Sequence, residues 1–393
     1  MKVAGSSVSS NEINVGTTQS DWNHILVVWD ENATSSNGLA TFYLNGVQEA
    51  TQTFNAGALN ITTVRVGGFS MDDNSSQMQT QWTGAIDDLQ FYNNSLSTTE
   101  VSHLYNNPGS IIKNYWDTNG ASSGLGGAGT WDQGTTSNWS GSSTGAGSGH
   151  FWANDLNTYF GGTSGTVSVG SGGITVSGNL FFSSDAYTIQ NNSITLNGTS
   201  QTIDVDSGLK VTISSVIAGS SGFNKTGSGG LVLTGSNTSS GTATVSSGHL
   251  WVNNSSGSAT GTGAVVVSSG STLGGSGSIS GLVTINAGGS LAPGSADYTV
   301  GSLNFTNSGS DNTWYGNNSS SYIWNISDFS GSEGSGWDIL TFTDSLNVIN
   351  TSGLAKIYIE SISGSLFRDM SSLAAKIQIF FSIKGRIGAV KEL

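Results

Sequence analysis

Hydrophobic and polar positions alternate with a short period over most of this chain, and the period is that of a strand. Successive strand side chains point to opposite faces, so a two-residue rhythm marks β-structure, whereas a helix repeats every three to four residues. In the middle of the chain the rhythm contracts into brief β-branched runs. They are Thr166-Val167-Ser168-Val169, Ile174-Thr175-Val176, Ser193-Ile194-Thr195-Leu196, Lys210-Val211-Thr212-Ile213, Leu231-Val232-Leu233 and Ala264-Val265-Val266-Val267. Gly, Ser, Thr and Asn fill the gaps between them. A flexible linker shares that filling but not Val/Ile runs at regular intervals. The runs also repeat with their surroundings. Val245-Ser246-Ser247-Gly248-His249-Leu250 returns as Val267-Ser268-Ser269-Gly270-Ser271-Thr272-Leu273, and again as Ile285-Asn286-Ala287-Gly288-Gly289-Ser290-Leu291. The offsets are 22 residues (245 to 267) and 18 residues (267 to 285). Periods near 20 mark solenoids, in which a unit buries its apolar edge only by stacking on its neighbours. The expected form is a right-handed parallel β-helix, with Val stacked on Val and Gly or Asn at the corners.

Residues 1–112 read as antiparallel β-structure. Asp21 to Asp30 carries apolar residues at both parities, as in a strand covered on both sides. Ala40 to Leu44 runs into Asn45-Gly46, the dipeptide that supplies the two positive-φ positions of a type I′ hairpin. Thr63 to Gly68 is a further short strand, followed by a polar loop from Met71 to Thr80 and a strand from Trp82 to Tyr92. Ile86 falls on one parity of that last strand and Leu89 with Phe91 on the other, so a bulge near Asp87-Asp88 is needed if all three are core. One helix is legible. Ser97-Thr98-Thr99-Glu100 is a capping box, Val101, Leu104 and Tyr105 recur at helical spacing, and Asn106-Asn107-Pro108-Gly109 stops it.

Composition sharpens this picture. Gly is 57 of 393 residues and Pro only 2, against ordinary shares of about 7% and 5%. Scarce Pro suits interior parallel strands, whose N–H groups all serve ladder bonds. Charged residues are 9% and the net charge is −14. Phosphate binding needs clustered Lys and Arg, so nucleic acid is excluded as a partner. With 11 Trp, 15 Phe and 10 Tyr the chain can bury a core. The absence of Cys removes disulfides, thiol nucleophiles and thiolate metal sites. No apolar run approaches the ~20 residues of a membrane-spanning segment, and Met1 to Ser6 does not open a signal peptide.

Two resemblances rest on these residues. Trp22 and Trp29, Phe42-Tyr43-Leu44-Asn45-Gly46, Val66-Gly67-Gly68 and the ending Gly84-Ala85-Ile86-Asp87-Asp88 through Leu96-Ser97 to Glu100-Val101 resemble the C-terminal part of a LamG-like, concanavalin A-like jelly-roll domain. Such domains usually need more than 112 residues, so the resemblance implies that the first strands of the sandwich, and a signal peptide, precede this sequence. Residues 113–300 resemble the autotransporter-associated β-strand repeat. Gly129-Thr130-Trp131-Asp132, Ser137-Asn138-Trp139, Gly165 to Val169 and above all Phe223-Asn224-Lys225-Thr226-Gly227-Ser228-Gly229-Gly230-Leu231-Val232-Leu233-Thr234-Gly235-Ser236-Asn237 carry it, with Phe223 where the family usually has Leu. Four segments follow: a jelly roll over 1–112, β-helix repeats over 113–300, terminal rungs or a cap over 301–367, and a basic tail over 368–393 that holds five of the 11 Lys and Arg. The expected whole is all-β, a partial jelly-roll sandwich followed by the β-helix.

Candidate chemistry is thin. A glycosidase needs two carboxylates about 5–9.5 Å apart. Glu12, Glu31, Glu49 and Glu100 lie on separate segments, and Asp87-Asp88 face opposite sides of a regular strand. A polysaccharide lyase on the β-helix would draw on Lys210 or Lys225, with Asp204 and Asp206 as cation ligands or as solvated turn residues. His24, His103, His150 and His249 show no metal-ligand spacing. Binding candidates remain. Asp72, Asp73 and Asn74 form an oxygen-rich loop suited to Ca²⁺, the one candidate cofactor, or simply to solvent. Trp82 and Asp87 are candidate ligand contacts, with core packing and turn formation as their alternatives. The resulting expectation is a non-catalytic bacterial cell-surface or secreted protein. Its β-helix carries a jelly roll that binds extracellular glycans or other surface ligands. The alternatives are a lyase or glycoside hydrolase, and a purely structural surface protein.

Overall fold

The computed structural model describes residues 23–30, 37–55, 68–69, 80–81, 89–90, 96, 98–106 and 113–361, the last apart from 121, 147–148, 150, 153, 155, 298, 329–330 and 353–355. The chain divides into two compact units, Met1–Ile112 and Lys113–Leu393.

In the first unit, β1 (Ile25–Asp30), β2 (Asn37–Leu44) and β3 (Val47–Asn55) form an antiparallel sheet in that order. Asn45 and Gly46 turn β2 into β3 with φ of 51° and 76°, the type I′ geometry that Asn-Gly favours. The Asn45 side chain fastens the turn to β1, accepting from the His24 N–H at 2.9 Å and donating to Asn23 Oδ1 at 3.0 Å. A short pair, β4 (Gly68–Phe69) and β5 (Thr80–Gln81), is antiparallel as well. Helix α1 (Thr98–Asn106) buries Val101 and Leu104, and Val101 packs with Val28 and Tyr43. One strand is absent from the sequence reading, and the reading of Leu89 as a core strand residue needs correcting. β3 escapes the hydrophobic pattern because Gln48, Glu49, Thr51 and Thr53 face solvent. β1 is packed on both faces in its middle, Leu26 and Val28 with Tyr43 and Val101 and Val27 with Ala40 and Phe42, while Ile25 at its start is 44% exposed. Leu89 and Gln90 are not in a strand, and Leu89 is 55% exposed rather than core.

The second unit is a parallel β-solenoid. Its chain visits three faces in turn. Face A runs from Asn114–Trp116 to Leu346–Ser352 and face B from Gly129–Trp131 to Lys356–Ser361, the latter with ten parallel strands. The third face carries Ile174–Val176, Ile194–Leu196 and Ile217–Ala218, and further on Ser278–Ile279, Ser302–Phe305 and Ile339–Phe342. The repeat in the sequence is the register of the ladder. Val245 pairs with Val267 and Val267 with Ile285 on face A, while Leu250, Leu273 and Leu291 pair in succession on face B. Each alternate residue points inward, giving buried columns such as Val211, Leu231, Leu250, Leu273 and Leu291. At roughly 25 cal/mol per Å² of apolar surface, such stacking is what holds a rung that has no partner inside its own sequence.

Between the two groups of third-face strands the rungs stay joined by backbone bonds, Thr238 N–H to Ile217 O at 2.9 Å and Asn237 N–H to Ser258 O at 2.7 Å among them, and asparagine side chains add to these. Asn237 Oδ1 accepts the Ile217 N–H at 2.7 Å, and its Nδ2 donates to Ala259 O. Asn254 Oδ1 likewise accepts the Ser278 N–H at 2.9 Å. A primary amide offers the same donor and acceptor as a peptide group, so it satisfies neighbours that would otherwise be buried unpaired.

The end nearest residue 113 is aromatic. Trp139–Ser140 pairs antiparallel with Asn114–Trp116 at the edge of face A. Trp116, Trp131, Trp139, Trp152 and Phe160 fill the interior there, with Trp131 and Trp152 edge-on at 4.8 Å between ring centroids. At the other end Val348, in the column of Ile285 and Trp314, is 50% exposed.

Candidate functional site

Asp72, Asp73, Asn74, Trp82 and Asp87 lie outside the described residues. Among the described residues, no group of three or more His, Asp or Glu is placed to hold a metal ion, and no helix is long and apolar enough to cross a membrane. Polar chemistry concentrates instead on the solenoid, at two places.

The first is the corner after Phe223–Thr226. Lys225 stands in an inward column, paired with Ile203 on one side and Val245 on the other, and is fully buried. An ammonium has three donors. Here they reach Thr226 O at 2.6 Å, Gly227 O at 2.8 Å and Ser247 O at 3.3 Å, the carbonyls of two successive corners. Burial pulls the Lys225 pKa down to about 8, against the opposing pull of Asp204. At neutral pH the group is therefore an ammonium whose donors are all engaged, which makes it a corner brace and a poor general base. Asp204 sits on the outer side of its strand and accepts from the Thr226 hydroxyl at 2.6 Å. Asp206 is exposed at the next turn. The two carboxylates that spacing alone puts on one face thus have different surroundings.

The second place is the outer surface of face B. Trp251 points outward by register, opposite Val232 and Gly274, yet it is buried. Its indole lies over Gly230, where a Cβ would come within 2.0 Å of the ring, so only glycine leaves room. Lys210, Gly230 and His249 form one outward column, and the indole fills the place that Gly230 leaves between the other two. Lys210 Nζ is 4.9 Å from the indole centroid, and the His249 ring stacks at 5.0 Å with an 8° tilt. Both contacts occupy the ring that a sugar would need for stacking. His249 Nδ1 is buried without a hydrogen-bond partner, and burial lowers the His249 pKa below its ordinary value, with Lys225 adding to the effect and Asp297 opposing it. Sequence reading missed this cluster. Its signal was His249-x-Trp251, two aromatic rings on one side of a strand, one rung after a glycine.

With this geometry in hand, the chain can be set beside known proteins. Residues 2–102 match the concanavalin A-like lectin/glucanases superfamily. That match and the antiparallel sheet of the first unit agree on a lectin-like sandwich. Over 224 residues the chain is 38% identical to the adhesin BmaC autotransporter of Brucella suis biovar 1 (strain 1330). The aligned stretch is 56% of this chain and 6% of that adhesin, so the chain spans a small part of its curated relative's length. No solved structure matches the chain.

Proposed function

We propose that this protein is an adhesin-like component of a bacterial surface or its surroundings, without catalytic activity, in which the solenoid is a stiff scaffold and the lectin-like unit binds carbohydrate or another surface ligand. The observation that carries the reading is the 38% identity to an autotransporter adhesin over 224 residues. The lectin-like match over 2–102 supports a binding unit. The solenoid adds physical support. Three of its inward polar groups, Lys225 and the Asn237 and Asn254 amides, are consumed in closing corners and linking rungs. The proposal includes the autotransporter-associated repeat for residues 113–300 and secretion as the route to the surface. It also places the ligand contacts at Trp82 and Asp87, and a Ca²⁺ ion at Asp72, Asp73 and Asn74, where an oxygen-rich loop suits a hard cation.

The test is retention of the full chain on an array of extracellular glycans, run beside a product screen on algal and plant polysaccharides. Retention without turnover is the expected outcome. Turnover without retention replaces the proposal with a lyase or hydrolase, and silence in both leaves a purely structural surface protein. For the loop, calcium should raise the melting temperature of the parent but not of the Asp72→Ala, Asp73→Ala double variant. An equal rise in both removes the ion from the proposal.

A further inference from the structure

Outward-facing residues of a solenoid are normally wet, but on face B several are buried. Val232, Trp251 and Thr272 lie on successive rungs, face outward by register, and are buried. Beside them runs a strap. The chain leaves Ser290–Pro293 at Gly294, whose N–H donates to Gly275 O at 2.9 Å, and regains the ladder at Gly301, whose N–H donates to Asp338 Oδ1 at 2.8 Å. The strap turns on itself, Thr299 Oγ1 accepting from the Ala296 N–H and donating to Ala296 O. It also reaches back along the solenoid, where Asn253 Nδ2 donates to Ser295 O at 2.8 Å. Two residues on, Asp297 is exposed and within electrostatic range of His249.

We propose that His249 and the strap segment 294–297 form a proton-operated clasp on the outer surface of face B. In its neutral form the imidazole stacks on Trp251. A proton taken from solvent onto Nδ1 drives the ring out of the stack and into an ion pair with Asp297, fastening the strap.

The charges around the ring set this direction. From the strand Lys210–Ile213, Lys210 holds a cation against the same indole, and from the corner below, Lys225 holds another. Both repel an imidazolium. From the strap, Asp297 attracts it, while the next rungs present only the hydroxyls of Thr272 and Ser290. A buried Nδ1–H with no acceptor is costly, by about 1–3 kcal/mol for a neutral donor and more for a charged one. Asp297 is the charge on the strap that attracts the ring, and in the clasp it is the acceptor. The neutral form dominates at pH 7, because burial and Lys225 both lower the titration point of His249.

The experiment is an NMR pH titration of the full chain with labelled histidine and tryptophan, His249→Gln serving to assign the ring. The His249 resonance should titrate below its ordinary 6.5, and the Trp251 indole N–H should shift with the same midpoint. Protection of the Ser295 to Asp297 amides, corrected for intrinsic exchange, should rise severalfold through that midpoint. Asp297→Asn, an exposed substitution, should move the midpoint lower and abolish the rise. A Trp251 signal that ignores the titration overturns the clasp. So does a midpoint unmoved in Asp297→Asn, or strap protection that is indifferent to pH.

Discussion

The aromatic end of the solenoid and its aliphatic middle solve the same packing problem with different residues. In the middle, Val245, Val267 and Ile285 each rest on a like neighbour above and below, so small β-branched side chains fill the interior at little entropic cost. Near residue 113 one of those neighbours is missing. Trp116, Trp131, Trp139 and Trp152 occupy the space instead, in edge-on and tilted contacts 4.8–5.4 Å between centroids, and Trp116 Nε1 ties the cluster to Gly127 O at 2.8 Å. A stacked fold must close its first rung with bulk, because no later rung can reach back to cover it.

Four substitutions would break or sharpen that contrast, each read by urea denaturation. Trp131→Ala removes the ring that touches Trp139, Trp152 and Phe160 at once and should cost about 3–5 kcal/mol. Unfolding should then begin at the aromatic end, seen as early exchange of the Gly129 to Val169 amides. Leu250→Ala, in the middle, should cost about 2–4 kcal/mol and leave the aromatic end protected. An effect spread evenly along the solenoid from either variant would show that the two regions do not differ in kind. Asn237→Ala orphans the Ile217 N–H and Ala259 O, a loss of about 1–3 kcal/mol.

The fourth test reads a pH dependence at Lys225. The native state releases this proton at about 8, whereas an unfolded chain holds it to the ordinary 10.5. Between those values the unfolded state binds more protons, so stability should rise with pH there, and below about 8 this group contributes no slope. Lys225→Met should lose that rise. It should also lie below the parent at pH 7 by about 1–3 kcal/mol, because three corner carbonyls lose their donor.

Sequence pattern reveals the ladder more fully than the chemistry on it. Val/Ile runs and their offsets fix the rungs, because an inward column has to repeat the same kind of residue at the same place. Asn45-Gly46 and Ser97 to Glu100 mark the hairpin and helix through local backbone demands. Strand β3 is hidden because its outward polar residues break the apolar rhythm. Lys225 reads as an outlier in an apolar column, and only the positions of three carbonyls show that it braces a corner. The Trp251 cluster needs residues 210, 230, 249 and 297 together, and no local window spans them. The acidic loop and its neighbours, the sites legible by residue type, lie outside the described residues.

The asparagine at 237 has one more implication. Because a side-chain amide can take up an N–H and a carbonyl that the backbone of an irregular stretch leaves over, neighbouring turns tolerate unequal lengths. A coding segment of about twenty codons could be duplicated, trimmed or lost while the turns on either side keep their mates. Such a gene can lengthen or shorten its product in small steps.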